Sequence, residues 1–331
     1  MTIEEKKLHD QEICDTYLLR DEDITESEYA MLSIQDMCVL LQKASWMLST
    51  GNEVDSLDKM EVLKERLPKM YSQLVGKIKT APVLYSVIDK ATGYAFITEI
   101  NNSIWIYSKK EYAVECVEHY KEEKRNFMVV ELSADNVANF LGRAFYTNGA
   151  GGVFVDNGQV GQFVAASDLI VKPTWEGVAK ENIPVTNSDF MLAHLKMTQE
   201  TGWKVEYESR PNVLAKLEIE LVRALKKARF LVPNKSEKGE EGANKPDNHI
   251  PVLTNEEGIT ALPVFSDWDQ FKMMYPQEGY HAWALDFDAL CKVLVDENGY
   301  DNIIINVKTL PLSINKSVLE RINVVAQNIE E

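Results

Sequence analysis

The residues from which chemistry could be built are few in this chain of 331 residues. Its five histidines are His9, His119, His194, His249 and His281. No two of them share the three- or four-residue helical spacing with which a metal-binding pair faces one way. His194 falls on a predicted helix; His281 opens a predicted strand beside Trp283 and is the one expected to be buried. The four cysteines, Cys14, Cys38, Cys116 and Cys291, are scattered. Without a Cys-x-x-Cys pair they imply neither a disulfide framework nor a thiolate zinc site. Cys116 and Cys291 sit on apolar faces of predicted helices, where a thiol serves as a small hydrophobe rather than as a nucleophile. No Gly-x-Ser-x-Gly, His-Glu-x-x-His or Walker sequence occurs. No catalytic residue, metal ligand or cofactor is assigned.

Asp267, Asp269, Asp286 and Asp288 gather around two predicted helix starts. A metal or an acid–base pair is one reading. Charge matching to helix N-termini is the simpler one, with Ser266 and Asp286 as the natural caps. Arg223, Lys226, Lys227 and Arg229 form the basic counterpart at the end of a helix, where the dipole favours them. Trp105, Tyr107, Trp268, Phe271 and Trp283 read as core aromatics. A partly exposed Trp268 would instead mark a contact surface.

The stretch from Asn148 to Gln162, NGAGGVFVDNGQVGQ, contains a phosphate-loop density of glycine. A phosphate loop runs strand, glycines, helix, so that backbone N–H groups at the helix start face the anion. Here a helix precedes the glycines and a strand follows. The negative end of the helix faces them, and the reading is a C-cap with a tight turn.

The elements that must position these residues change character along the chain. Residues 1–80 read as helical. Thr25 and Glu28 form a capping box, followed by one helical face through Met31, Ile34, Cys38, Leu41, Ser45 and Leu48, with Gly51 as the stop. A second helix passes through Leu63, Leu67, Met70, Leu74 and Ile78, and Pro68 should kink or divide it. Then come three short β-rich runs (81–89, 94–100, 103–108), a helix from Ser108 with Glu111 completing a second capping box, the strand FMVVEL, a helix capped by Ser133, and the strand VFV. Residues 214–310 repeat that order: an amphipathic helix, the strands RFLVP, HIPVLT and TALPVF, a helix at DWDQFKMMY, the strand HAWALD, a helix capped by Asp286, and the strand IIIN. Tyr107-Ser108 corresponds to Phe265-Ser266, and Asn148-Gly149 to Asn298-Gly299. We read an internal duplication. In the second copy the first hairpin is enlarged to a polar insertion, residues 234–249, expected to be mobile. In 173–213 a helix is expected from Asn187-Ser188-Asp189, and WKVEYES as a strand.

The second copy resembles the SseB N-terminal domain family. Leu262, Pro263, Phe265, Ser266, Trp268, Phe271 and Asn306 carry the resemblance. In the first copy Trp105 stands where the proline would be and Asp156 where the final asparagine would be. The resemblance implies a mixed α/β module of bacterial cytoplasmic proteins and transfers no catalytic residue. The expected fold class is α+β: a helical region at 1–78, a divergent module at 79–172, a connector at 173–213 and a second module at 214–331.

Composition narrows function by exclusion. Acidic residues outnumber basic ones, 52 to 35, for a net charge of −17. Such a surface repels nucleic acid and anionic membranes. A charged N-terminus without an apolar core and the lack of a long apolar run point to the cytoplasm. The expected role is binding of a protein or peptide partner, with Trp268, Phe271, Asp269, Asp286, Asn306, Trp105 and Asp156 as candidate binding residues. A metabolite sensor or enzyme with a cleft between the copies is the alternative.

Overall fold

A computed structural model describes residues 3–52, 56–179, 182–237, 247–296 and 300–330. Most of the polar insertion (238–246) and the pair Asn298-Gly299 lie outside the described residues. The chain is α+β. Its contacts divide it into two units: residues 1–90, 95–145 and 150–172 in one, and 91–94, 146–149 and 173–331 in the other.

The first unit begins with α1 (Ile3–Tyr17), α2 (Glu26–Met31), α3 (Ile34–Thr50) and α4 (Leu57–Thr80). The predicted box at Thr25 caps only α2, which ends at Leu32 in extended backbone. A second box, Ser33 with Asp36, starts α3. Sequence reading ran the two together because the apolar spacing continues across the break. Gly51, at φ 70°, closes α3 as expected. Pro68 does not divide α4, which runs unbroken from Leu57 to Thr80. Buried Met37, Leu40, Leu41, Ala44 and Met47 of α3 and Leu63, Met70, Leu74 and Ile78 of α4 explain why: the apolar stripe outweighs one lost backbone bond.

The sheet of this unit comprises β1 (Val83–Asp89), β2 (Tyr94–Ala95), β3 (Ser103–Tyr107), β4 (Phe127–Ser133), β5 (Gly152–Val155) and β6 (Gln162–Ala165), with α5 (Lys110–Glu122) and α6 (Ala134–Gly142) between strands and the short α7 (Ala166–Leu169) after the last. β1 pairs antiparallel with β3 (Tyr85 opposite Tyr107) and with β4 (Val83 opposite Ser133). β3 and β5 are parallel, and β6 returns antiparallel to β5. β6, QFVA, lies beyond the elements expected from the sequence, because its polar and apolar residues form no unbroken apolar run like the VFV of β5. Trp105, Tyr107, Cys116 and Phe127 close the core where α5 covers the sheet.

The glycine stretch joins α6 to β5 through a π-helical turn, Arg143–Thr147. Gly149 takes a φ of 80°. The next glycines serve close packing: a Cβ on Gly151 would lie 2.3 Å from the Asn101 carbonyl oxygen, and one on Gly152 2.3 Å from that of Val164. A tight helix-to-strand connection, with no anion cradle, accounts for the composition.

The second unit contains α8 (Ser188–Gly202), α9 (Arg210–Lys227), β7 (Arg229–Glu237), β8 (Asp247–His249), β9 (Leu253–Thr254), β10 (Thr260–Val264), α10 (Trp268–Met274), β11 (Tyr280–Asp286), α11 (Phe287–Asp296), β12 (Asn302–Ile305), β13 (Leu312–Asn315) and α12 (Lys316–Glu330). β11 pairs antiparallel with β7 (Asp286 opposite Arg229), β10 is parallel to β12, and β13 is antiparallel to β12. One antiparallel bridge, Leu231 to Phe265, joins β7 to β10. Phe190, Phe230, Leu262, Phe287, Leu290, Ile303 and Ile305 form the core under α8, α9, α11 and α12. Residues 203–209 are not the predicted strand. Carbonyls of Trp203 and Val205 accept from the buried Arg210 guanidinium, at 2.8 and 3.0 Å, in place of a sheet neighbour.

Candidate functional site

The polar residues singled out in the sequence meet where the parallel strands end. In the second unit β12 stops at Asn306, which is 1% exposed and has a φ of 57°. Asparagine tolerates this left-handed backbone better than branched residues do. Its backbone N–H donates to the Val264 carbonyl at 3.0 Å. Its side-chain oxygen accepts from the Ser266 N–H at 3.0 Å, and its Nδ2 donates to Ser266 Oγ at 2.9 Å and toward Met191 Sδ at 3.3 Å. The Ser266 hydroxyl donates in turn to Asp267 Oδ2 at 2.7 Å. Asp267 Oδ1 accepts from the N–H groups of Asp269 and Gln270 at 2.9 and 3.0 Å and so caps α10. Thr309 donates to Gln270 Oε1 at 2.8 Å. Asn187 adds a clamp: its Nδ2 donates to the carbonyls of Arg229 and Ser266 at 2.6 and 2.7 Å, and its Oδ1 accepts from the Arg229 N–H at 3.1 Å.

In the first unit β5 stops at Asp156, 0% exposed with a φ of 52°. Its N–H donates to the Ile106 carbonyl at 2.8 Å. Its carboxylate accepts from the Ser108 N–H and from the Ser108 hydroxyl, both at 2.7 Å. Burial raises the Asp156 pKa, against the pull of the two Ser108 bonds and of Lys109 and Lys6. Lys109 is the N-cap residue of α5 and makes no side-chain cap bond. Each site thus has one carboxylate that accepts the serine hydroxyl's hydrogen bond: Asp267, ahead of the helix, in the second unit; Asp156, at the strand end, in the first.

This geometry departs from the helix caps that the sequence predicts. Ser108 and Ser266 were expected to cap helices; both hydroxyls instead bond to carboxylates, and Asp267 is the cap. A serine preceding a helix, with an acid three residues on, satisfies the capping pattern whichever way its hydroxyl turns. Asp286 does cap α11, accepting from the Ala289 N–H at 2.8 Å. Ser133 precedes α6 but makes no side-chain cap bond, nor does Asn187 at α8. Lys226 pairs with Asp288 at 2.8 Å, which joins the basic and acidic clusters.

The structure brings Asn306 to the start of α10 with Trp268 and Asp269, and sets Asp156 at the end of the strand beside that of Trp105. Trp268 is half-buried and packs on Phe271, ring centroids 5.3 Å apart, within a cluster of Phe265, Tyr275 and Tyr280. Phe271 and Trp105 are buried, Asp269 is exposed, and Asp286 stands apart at the far end of β11. Trp283, expected in the core, is 43% exposed. The buried histidine is His194 rather than His281, which is exposed. His194 stacks on Phe190, and burial lowers its pKa to about 4. Burial raises the thiol pKa of Cys38 and Cys116, and that of Cys291 to about 11, the opposite of what activates a nucleophile. Among the described residues no group of three or more His, Cys, Asp or Glu is placed to hold a metal ion, and no helix is long and apolar enough to cross a membrane.

Arg66 and Arg210 escaped sequence reading. Arg66, 2% exposed, donates to the carbonyls of Leu18 at 2.9 Å and Glu22 at 2.6 Å. Nothing in the sequence distinguishes either arginine from its surface counterparts.

Residues 214–320 match the family described as SseB protein N-terminal domain, over the stretch whose motifs carry the resemblance. No curated protein and no solved structure matches the chain.

Proposed function

We propose that the protein is a non-enzymatic binding module of the bacterial cytoplasm, built from two divergent copies of one α+β unit, which takes up a peptide segment of a partner protein along β11. The observation that carries this reading is how the polar side chains are used. Asn306, Ser266, Asp267 and Asn187 spend their hydrogen bonds on backbone and on each other, and so do Asp156 and Ser108. Such a network fixes the ends of strands and offers no poised acid–base pair.

β11 presents different chemistry. It has one strand neighbour, β7, among the described residues. Along it exposed His281 and Trp283 alternate with half-buried Tyr280, Ala282 and Ala284. An open edge of seven residues with an aromatic on its accessible face suits the addition of an extended peptide. The test is selection of binding peptides from a random library on the full chain, followed by hydrogen exchange of the complex. Protection of residues 280–286, with binding reduced about tenfold or more by Trp283→Asp, is the expected result for a desolvated aromatic anchor. Selected peptides that protect other elements and ignore Trp283→Asp would overturn the assignment of the edge.

A further inference from the structure

We propose that the groove between α1 and α3 is a binding site for an organic cation, a primary ammonium or a guanidinium group. The groove has a volume of about 740 Å³, within the ~300–1,000 Å³ of small-ligand sites. Asp10, Gln11 and Asp15 line it from α1; Gln42, Lys43 and Trp46 line it from α3; Val160, in the turn between β5 and β6, forms an end wall. All belong to the first unit.

Three features select a cation. The Trp46 indole is 39% exposed and already carries one: Lys43 Nζ lies 4.4 Å from its ring centroid. The face of an indole attracts ammonium and guanidinium groups through its quadrupole, so Lys43 shows which chemistry the ring accepts. The lining carboxylates outnumber the lining ammonium, Asp10 and Asp15 against Lys43. Burial raises the Asp10 pKa despite the opposing pull of Lys6 and His9; this carboxylate is short of solvation, and a bound cation would supply it. The two carboxylates repel an anion, and a neutral apolar ligand would bury Asp10 further with no added cation beside it.

The cation could arrive as a free amine or as a lysine or arginine side chain of a peptide. Isothermal titration of the full chain at low salt, with 1,5-diaminopentane, agmatine and a blocked Gly-Lys-Gly peptide as probes, separates the two. Tighter binding of the diamine or agmatine assigns a free amine; tighter binding of the peptide assigns a side chain. In either case Asp10→Asn/Asp15→Asn weakens binding about tenfold, and so does Trp46→Leu. Lys43→Met removes the tethered competitor and tightens binding, which a merely structural Lys43 would not do. Because α1 exposes Asp15 and half-exposes Asp10, the double asparagine variant keeps the test valid if Trp46→Leu fails to fold. Absence of binding by every probe at millimolar concentration, or equal binding by the asparagine variant, would overturn the site.

Discussion

A serine hydroxyl held at the end of a parallel strand pair needs a hydrogen-bond acceptor, and in each unit a single carboxylate supplies it. Asn306 is the residue on which the second site turns, because it holds a left-handed backbone and accepts from the Ser266 N–H at once. Asn306→Ala forfeits both, at a cost of about 2–4 kcal/mol; urea denaturation monitored in the second unit would measure it. His194 gives a pH dependence of opposite origin. Its Nε2 lies 3.3 Å from the Leu310 carbonyl, while Nδ1 has no partner among the described residues, so the neutral ring fits and the imidazolium does not. Its folded pKa, about 4, lies below the unfolded 6.5. The stability this neutral ring contributes is complete above pH 6.5 and is lost as the pH falls toward 4, on the order of 3 kcal/mol. His194→Leu should flatten stability over that range. An unchanged slope would mean that other groups govern the acid limb. The positions of Asn306 and Asp156 were legible in the sequence, but their work was not. Their serine partners lie 40 and 48 residues away, and spacing along a chain says nothing about a hydrogen bond closed by a parallel strand pair.

Between elements, long-range pairing and buried cations decide what local pattern leaves open. The amphipathic helices α3, α4 and α9 were readable because each presents a continuous apolar stripe. β6 (QFVA) and β13 (LSIN) were not, since they mix polar with apolar residues, whereas the equally short β5 (GVFV) and β12 (NIII) contain unbroken apolar runs. The segment after α8 read as a strand on β-propensity alone. It is instead gathered by Arg210, 8% exposed, which donates to the Glu200, Trp203 and Val205 carbonyls and lies 3.5 Å from the Glu200 carboxylate. Arg210→Met should cost roughly 3 kcal/mol, because it removes a buried donor to three carbonyls and the cation beside the Glu200 carboxylate. It should also open residues 203–209 to limited proteolysis, a readout separate from global stability.

At the scale of the molecule, several strand pairings in the two units fall in matching register. Tyr85 faces Tyr107 as Leu231 faces Phe265; Val83 faces Ser133 as Arg229 faces Asp286. The strand-end residues fall at the matching place, and the charge has changed sides: Lys109 with Asp156 in one unit, Asp267 with Asn306 in the other. On the proposed reading of the units as two divergent copies, one carboxylate per serine is kept while its position moves. Each site then tolerates the other's solution only when both positions change together. A double-mutant cycle on the full chain, comparing Lys109→Asp, Asp156→Asn and the pair by urea denaturation, tests this directly. Lys109→Asp alone sets a second carboxylate beside Ser108, and Asp156→Asn alone leaves the serine proton without its acceptor. Each should lower stability by about 1–2 kcal/mol. The double variant re-creates the arrangement of Asp267 and Asn306, gains a cap for α5, and should return to within about 1 kcal/mol of the parent. Additive losses in the double variant would contradict the account, for they would show that the two strand ends are not versions of one design.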